Sequence, residues 1–223
     1  MSGNFTGRKD MGKITRRQFS RIGLGLAAAA ALSAWLGRMT AGATRAEPIL
    51  NDDGLYTQSW FVETFLDLKD DLRNAMAAGK RLALIFEQRG CPYCKETHAV
   101  NFADPEVSAY IRENFTVIQL NLYGARAVTD FDGQQIEERA FARKLGVIFT
   151  PTIVFLPESD AAKPGRGTRE LEVMRMPGYF KPFHFVSMFE YVRAKAYETE
   201  HFQKWLQAKA ERLRAEGKDV TLW

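Results

Sequence analysis

The chain of 223 residues holds two cysteines, Cys91 and Cys94, separated by Pro92 and Tyr93. A disulfide between residues this close closes almost no loop, so it adds little to stability. The pair is therefore read as chemistry rather than as a structural staple. Gln88-Arg89-Gly90 forms a turn, and Cys91-Pro92-Tyr93-Cys94 opens a helical stretch. Pro92 suits the first helical turn, where its missing N–H is no loss. Unpaired amides and the macrodipole at a helix start stabilise an anion, which lowers the Cys91 thiol below its free pKa of about 8.5. The thiolate is the species that attacks a disulfide. Cys94, one turn in and less accessible, can then resolve the mixed disulfide by attacking back. Arg89 and Lys95 flank the pair and add positive charge.

Other uses of two cysteines fit less well. A c-type haem site needs His directly after the second cysteine, where Lys95 stands. Zinc wants four ligands, and only Cys91, Cys94 and His98 lie at sensible spacing. Copper delivery by these three residues stays open as the non-enzyme alternative, beside His98 as a polar or packing residue. Glu87 precedes the pair on a strand and is either a proton acceptor for Cys94 or a solvated strand-end carboxylate. No resident cofactor or metal is expected.

Positioning these groups takes strands and helices in alternation. Apolar residues Phe61, Phe65, Leu68, Leu72, Ala75 and Met76 recur at helical spacing and predict a helix from Trp60 to Ala78, ended by Gly79. Arg81 to Phe86 has the length of a buried strand. The helix opened by Cys91 restarts or kinks at Asp104-Pro105 and runs to about Asn114. A second strand covers Thr116–Leu122. Residues Tyr123 to Gln135 read as an inserted loop, or a small hairpin around Asp132-Gly133. A helix from Ile136 to Leu145 stops at Gly146. Thr152–Leu156 and Arg169–Arg175 are the third and fourth strands, and a long helix begins near Pro182. This order predicts an α/β domain, a mixed four-stranded sheet flanked by helices. The charge-rich tail from Ala194 to Arg214 adds a helix whose Phe202, Trp205, Leu206 and Leu213 share a face that packs on the domain or docks a partner.

The first 46 residues read as an export signal. Arg16 and Arg17 precede Phe19, an uncharged stretch spans Ile22 to Leu36, and Ala41-Gly42-Ala43 fits a cleavage site, with Thr44-Arg45-Ala46 as alternative. The arginine pair suggests the twin-arginine route. The expected organisation is residues 1–43 as signal, 44–59 as linker, 60–193 as the sheet domain and 194–223 as a helical extension. Residues 1–43 carry seven of the 31 Lys/Arg and one of the 27 Asp/Glu, so the remainder has a formal charge of −2. The basic character of the whole chain belongs to the signal. No dense basic patch interleaved with aromatics survives it, and a nucleic-acid partner is not expected.

Strand, CxxC at a helix start, strand, helix, Thr150-Pro151, hairpin and final helix together resemble the thioredoxin superfamily from about Trp60 to Val192. A closer likeness is to SoxW-type exported thioredoxins of the sulfur-oxidation (Sox) system. It rests on Phe86-Glu87-Gln88, Gly90-Cys91-Pro92-Tyr93-Cys94, His98, Phe149-Thr150-Pro151-Thr152 and Pro177-Gly178-Tyr179. The resemblance implies a thioredoxin fold and a thiol–disulfide oxidoreductase, with Cys91 as nucleophile and Cys94 as resolving thiol. It implies a cis proline at Pro151, and substrate contacts from Pro92, Tyr93, Thr150 and Pro151. It implies a periplasmic protein whose partners are protein disulfides, a Sox sulfur carrier among them, and a membrane thiol-electron donor. A disulfide oxidase or isomerase is the second enzyme reading. Ordinary thioredoxins place Trp where Gly90 stands and a buried acid where Ile85 stands.

Overall fold

A computed structural model describes residues 48–159, 165–218 and 220. The expected signal, residues 1–43 or 1–46, lies outside the described residues. Among the described residues no helix is long and apolar enough to cross a membrane.

Four strands make the central sheet: β3 (Arg81–Glu87), β4 (Phe115–Asn121), β7 (Thr152–Phe155) and β8 (Met174–Pro177), in the order β4-β3-β7-β8. β3 pairs parallel with β4 and antiparallel with β7, which pairs antiparallel with β8. This is the expected mixed sheet of an α/β thioredoxin fold. All seven residues of β3 are buried, as a central strand covered on both faces must be. Its alternation divides the core. Leu82, Leu84 and Phe86 face a cluster with Leu68, Leu72, Phe141 and Leu145. Ala83 and Ile85 face the other cluster, with Phe102, Ile111, Phe185 and Phe189. Glu87 shares the parity of Ala83 and Ile85, so it points to that second face.

Helices α1 (Leu68–Ala77) and α4 (Glu138–Leu145) line the first face. On the second lie α2 (Pro92–Glu96), the π-helical turn Thr97–Asn101, α3 (Pro105–Asn114) and α6 (Pro182–Arg193). The expected break at Asp104-Pro105 is real: Asp104 caps α3, accepting from the amides of Glu106 and Val107 at 2.9 and 3.0 Å. Gly146 ends α4 in the left-handed conformation, φ 66°, which glycine adopts without a Cβ clash. The C-terminal helix α7 (Phe202–Ala215) packs its stripe on the domain's own core, with Phe202 and Trp205 against Tyr191 at 5.3 and 5.7 Å between ring centres.

The helix expected from Trp60 begins only at Leu68. Leu66 sits at φ 59°, a left-handed conformation that interrupts a helix, and Asp67 caps the true start by accepting from the amides of Lys69 and Asp70. Phe65, which fitted the helical spacing, is fully exposed. The fourth strand also shifts. Thr168–Leu171 is a helical turn, α5, and β8 starts five residues after the expected Arg169. Asp130 Oδ1 holds the Thr168 amide at 2.8 Å and its hydroxyl at 2.6 Å, which fixes that turn. Part of the expected linker is ordered. β1 (Ile49–Leu50) and β2 (Tyr56–Thr57) form a hairpin against the domain. The insert after β4 is the other hairpin, β5 (Ala127–Thr129) with β6 (Gln135–Glu137).

Candidate active site

Strand β3 leads into a turn at Gly90, whose φ of 71° lies where a side chain is strained. That explains glycine at a position where ordinary thioredoxins carry a large residue. The turn delivers Cys91 as the N-cap of α2, with Pro92 in the first turn. Cys91 and Cys94 are joined as a disulfide with Cα atoms 5.2 Å apart. Cys91 Sγ accepts the Cys94 amide N–H at 3.0 Å. The Cys91 sulfur therefore sits where a thiolate would accept a backbone donor and meet the positive end of the helix. Cys91 retains 3% of its surface and Cys94 none, so an incoming sulfur can approach only the first.

The Thr150-Pro151 peptide is cis. Thr150 lies against the first cysteine, its carbonyl oxygen 3.5 Å and its hydroxyl 3.4 Å from Cys91 Sγ. Exposed apolar side chains stand near these residues in sequence: Tyr93 between the cysteines, and Ile148 and Phe149 just before Thr150. Tyr93 stacks on Tyr179, ring centres 6.5 Å apart and planes 20° from parallel. The Gly178 amide donates to the Pro151 carbonyl at 2.6 Å, tying the segment after β8 to the same wall.

Beneath lies a buried polar network. Glu87 and His98 have no exposed surface. His98 Nε2 is 3.1 Å from each Glu87 carboxylate oxygen, and the Gln119 amide also donates to Glu87. The Gln58 amide nitrogen lies 3.1 Å from His98 Nδ1. With Gln58 donating, Nδ1 accepts and the ring proton sits on Nε2, aimed at Glu87. Gln119 Nε2 further donates to the Tyr56 carbonyl at 2.6 Å, and Asn51 donates to Gln119 Oε1 at 3.3 Å. Two N–H donors offset the burial of the carboxylate. His98 is one helical turn beyond Cys94 and Glu87 faces the same side of the sheet, so the network stands on the Cys94 side of the pair.

The profile of the thioredoxin-like domain family matches residues 68–193. The chain belongs to that family. With a bonded CxxC pair at the helix start, this thioredoxin-like protein is a thiol–disulfide oxidoreductase. No curated protein matches the chain. Solved structures similar to it include a thioredoxin-fold protein from Helicobacter pylori, 18% identical over 72% of this chain and 92% of that one, TM-score 0.48. A thioredoxin from Thermus thermophilus is 25% identical over 56% and 83%, TM-score 0.43. The oxidised C-terminal domain of DsbD from Neisseria meningitidis is 19% identical over 58% and 96%, TM-score 0.39.

Of the residues singled out in the sequence, the fold of this thioredoxin-like protein brings Cys91, Cys94, Thr150 and Pro151 to one surface, with Pro92 and Tyr93 between the sulfurs. Glu87 is not a solvated strand end; it is buried and hydrogen-bonded. His98 spends both ring nitrogens on Gln58 and Glu87. Among the described residues no three His, Cys, Asp or Glu side chains are grouped to hold a metal ion. Arg89 turns away from the pair, its Nε donating to the Asp53 carbonyl at 3.0 Å. Gln58 and Gln119 are site residues that the sequence did not single out, and Tyr179, noted there only as part of the Pro177-Gly178-Tyr179 motif, is a third. The strand parity of Gln119 with Glu87's neighbour Ile85 held a partial signal; Gln58 lay in an apparent linker and held none.

Proposed function

We propose that this oxidoreductase is an exported, periplasmic reductant of protein disulfides, with the cysteine of a Sox sulfur carrier as its principal target. The observation that carries the exchange reading is the Cys91 sulfur, held on the Cys94 amide at the helix start and facing the Thr150 carbonyl; the reductive direction rests on the likeness to SoxW-type proteins. An extended substrate segment laid along Thr150 would bring its own sulfur to Cys91. The Cys91 thiolate then attacks, a Cys91–substrate disulfide forms, and the displaced substrate sulfur takes up a proton. Cys94 next loses its proton, for which Glu87 is the nearest buried carboxylate on that side of the sheet, and attacks Cys91 Sγ. The second substrate thiol leaves. Two electrons and two protons have passed to the substrate, and the Cys91–Cys94 disulfide remains for a membrane dithiol donor to reduce.

Export is supported by Arg16-Arg17, the apolar stretch and the small-residue cleavage sites. The carrier as target is supported by the likeness to SoxW-type proteins across Phe86 to Cys94 and Phe149 to Thr152. A carrier that holds cargo on a cysteine needs a dithiol whenever that cysteine is blocked, and exchange runs toward the better leaving thiol. Purified from its host, the Cys94→Ser protein is expected to carry the sulfur carrier in a reducible covalent complex, while Cys91→Ser captures nothing. Deletion of the gene is expected to slow thiosulfate oxidation. Capture of many unrelated secreted proteins, with thiosulfate oxidation untouched, would replace this reading with general disulfide oxidation or isomerisation.

A further inference from the structure

The C-terminal helix does more than cover the core. Between α6 and α7 lies a groove of about 600 Å³, floored by Phe180, Met188, Phe202 and Leu206. That volume is in the range of sites that enclose a large side chain or small ligand. Lys181, His184, Gln203 and Gln207 are its polar lining, and no carboxylate lines it. One end is shared with the exchange site. Tyr179 lines the groove and stacks on Tyr93, the residue between the two cysteines. The preceding residue, Gly178, is hydrogen-bonded to the carbonyl of Pro151. The groove is thus continuous with the surface on which a protein substrate must lie for its sulfur to reach Cys91.

We propose that this groove is the specificity pocket of the oxidoreductase, and that it takes a large apolar side chain of the substrate protein a few residues from the reactive cysteine. The proposal rests on exchange at Cys91 and names which protein cysteines are served. Small disulfides reach only the sulfurs. A protein segment that runs past Tyr93 and Tyr179 gains in addition the burial of one apolar side chain on Phe180 and Leu206. A pocket of this kind discriminates roughly tenfold or more between a large apolar side chain and a small polar one. The apolar floor and the absence of a lining carboxylate disfavour a basic side chain there, because its charge would lose hydration without gaining a partner.

The test uses the full chain with its dithiol reduced. Two peptides of about a dozen residues each carry one cysteine as a mixed disulfide with glutathione. They differ only in Phe or Ser at positions three and four residues to either side of it. Release of the peptide thiol is followed by chromatography, and the protein dithiol is oxidised in step. The Phe peptide is expected to react roughly tenfold faster or more. In Gln203→Trp, whose indole fills the groove, the Phe-to-Ser ratio is expected to fall to about one, and Gln207→Trp should do the same. The ratio is internal to each protein, so general damage to the site cancels from it. Equal rates for the two peptides with the unaltered protein, or a preference that survives both Trp variants, would overturn the proposal. So would a dimer in solution that Gln203→Trp dissociates, since the groove would then belong to a second copy. A Phe preference that emerges only after removal of the residues beyond Gly217 would instead assign the groove to that segment. Failure of the unaltered protein to reduce glutathione disulfide at all would overturn the exchange reaction itself, a result separable from equal peptide rates.

Discussion

At the scale of single residues the site combines an accessible sulfur with a buried carboxylate. Glu87 accepts from His98 and Gln119 with no surface exposed. Glu87→Ala would leave both donors buried and unpaired, each at about 1–3 kcal/mol. We expect a loss of roughly 2–6 kcal/mol in denaturant unfolding. Glu87→Gln keeps the volume and a carbonyl for His98 but cannot accept a proton. It is expected to lengthen the life of the mixed disulfide while leaving the rate of its formation little changed, read by quenched-flow trapping. Asp71 is a second buried acid, at the start of α1. Burial pushes its pKa up to about 6, against the lowering effect of its hydrogen bond from Thr64, with Asp67 and Asp70 adding repulsion. A raised carboxyl pKa means that the folded state holds the proton longer than the unfolded one. Stability from this group is therefore unaffected at pH below 3.8, falls as pH rises toward about 6, and stays reduced above it. Asp71→Asn, which still accepts from Thr64, should flatten that slope. It should raise the melting temperature at neutral pH by several degrees, on the order of 1–3 kcal/mol.

At the scale of elements, α7 is held by one cation as well as by its apolar stripe. Lys209 is buried, donates to Ser187 Oγ at 2.9 Å, pairs with Glu190, and lies 5.0 Å from the Phe183 ring centre. Truncating it strands the partners on α6. Lys209→Ala is expected to cost about 1–3 kcal/mol and to raise amide hydrogen exchange across Phe202–Ala215 far more than across β3 and β7. Uniform acceleration in all elements would mean that α7 unfolds only with the whole domain. The hairpin insert is anchored differently. Glu138, at the start of α4, accepts from the Asn121 amide at 2.8 Å and from Arg126 Nη2 at 2.6 Å. A Cβ on Gly124 would lie 2.0 Å from the same carboxylate, so only glycine lets the chain pass there.

At the scale of the whole molecule, charge and route belong together. The chain has a formal charge of +4, yet beyond residue 43 the balance is −2. On the proposed export route the processed chain would keep a near-neutral charge balance, suited to apolar recognition of other proteins rather than to a polyanion. If Arg16 and Arg17 direct export, replacing both with Lys should hold the precursor in the cytoplasm. Terminal sequencing of the processed protein should begin at Thr44 or Glu47. Processing at an undiminished rate would point to the general secretory route.

The sequence by itself determined the chemistry and the frame. Two cysteines at a proline-marked helix start, and a run of apolar residues on either side of that helix, sufficed because both signals are local. Cys91, Cys94 and the β3, β4 and β7 strands could be read without knowing what they touch. Where a signal depended on contacts between distant segments, the reading drifted. The periodicity of Phe61 and Phe65 imitated a helix, because nothing local showed that Leu66 turns left-handed and Asp67 caps a later start. The fourth strand moved to Met174–Pro177, because Asp130, 38 residues earlier, holds Thr168 in a turn. Glu87 read either as a solvated strand-end carboxylate or as a proton acceptor for Cys94. Only the fold, by bringing Gln58 and Tyr56 of the N-terminal segment over His98 and Gln119, shut water out and supplied the donors that keep a carboxylate there. Burial and pairing are properties of the closed tertiary structure, whereas spacing is a property of the chain.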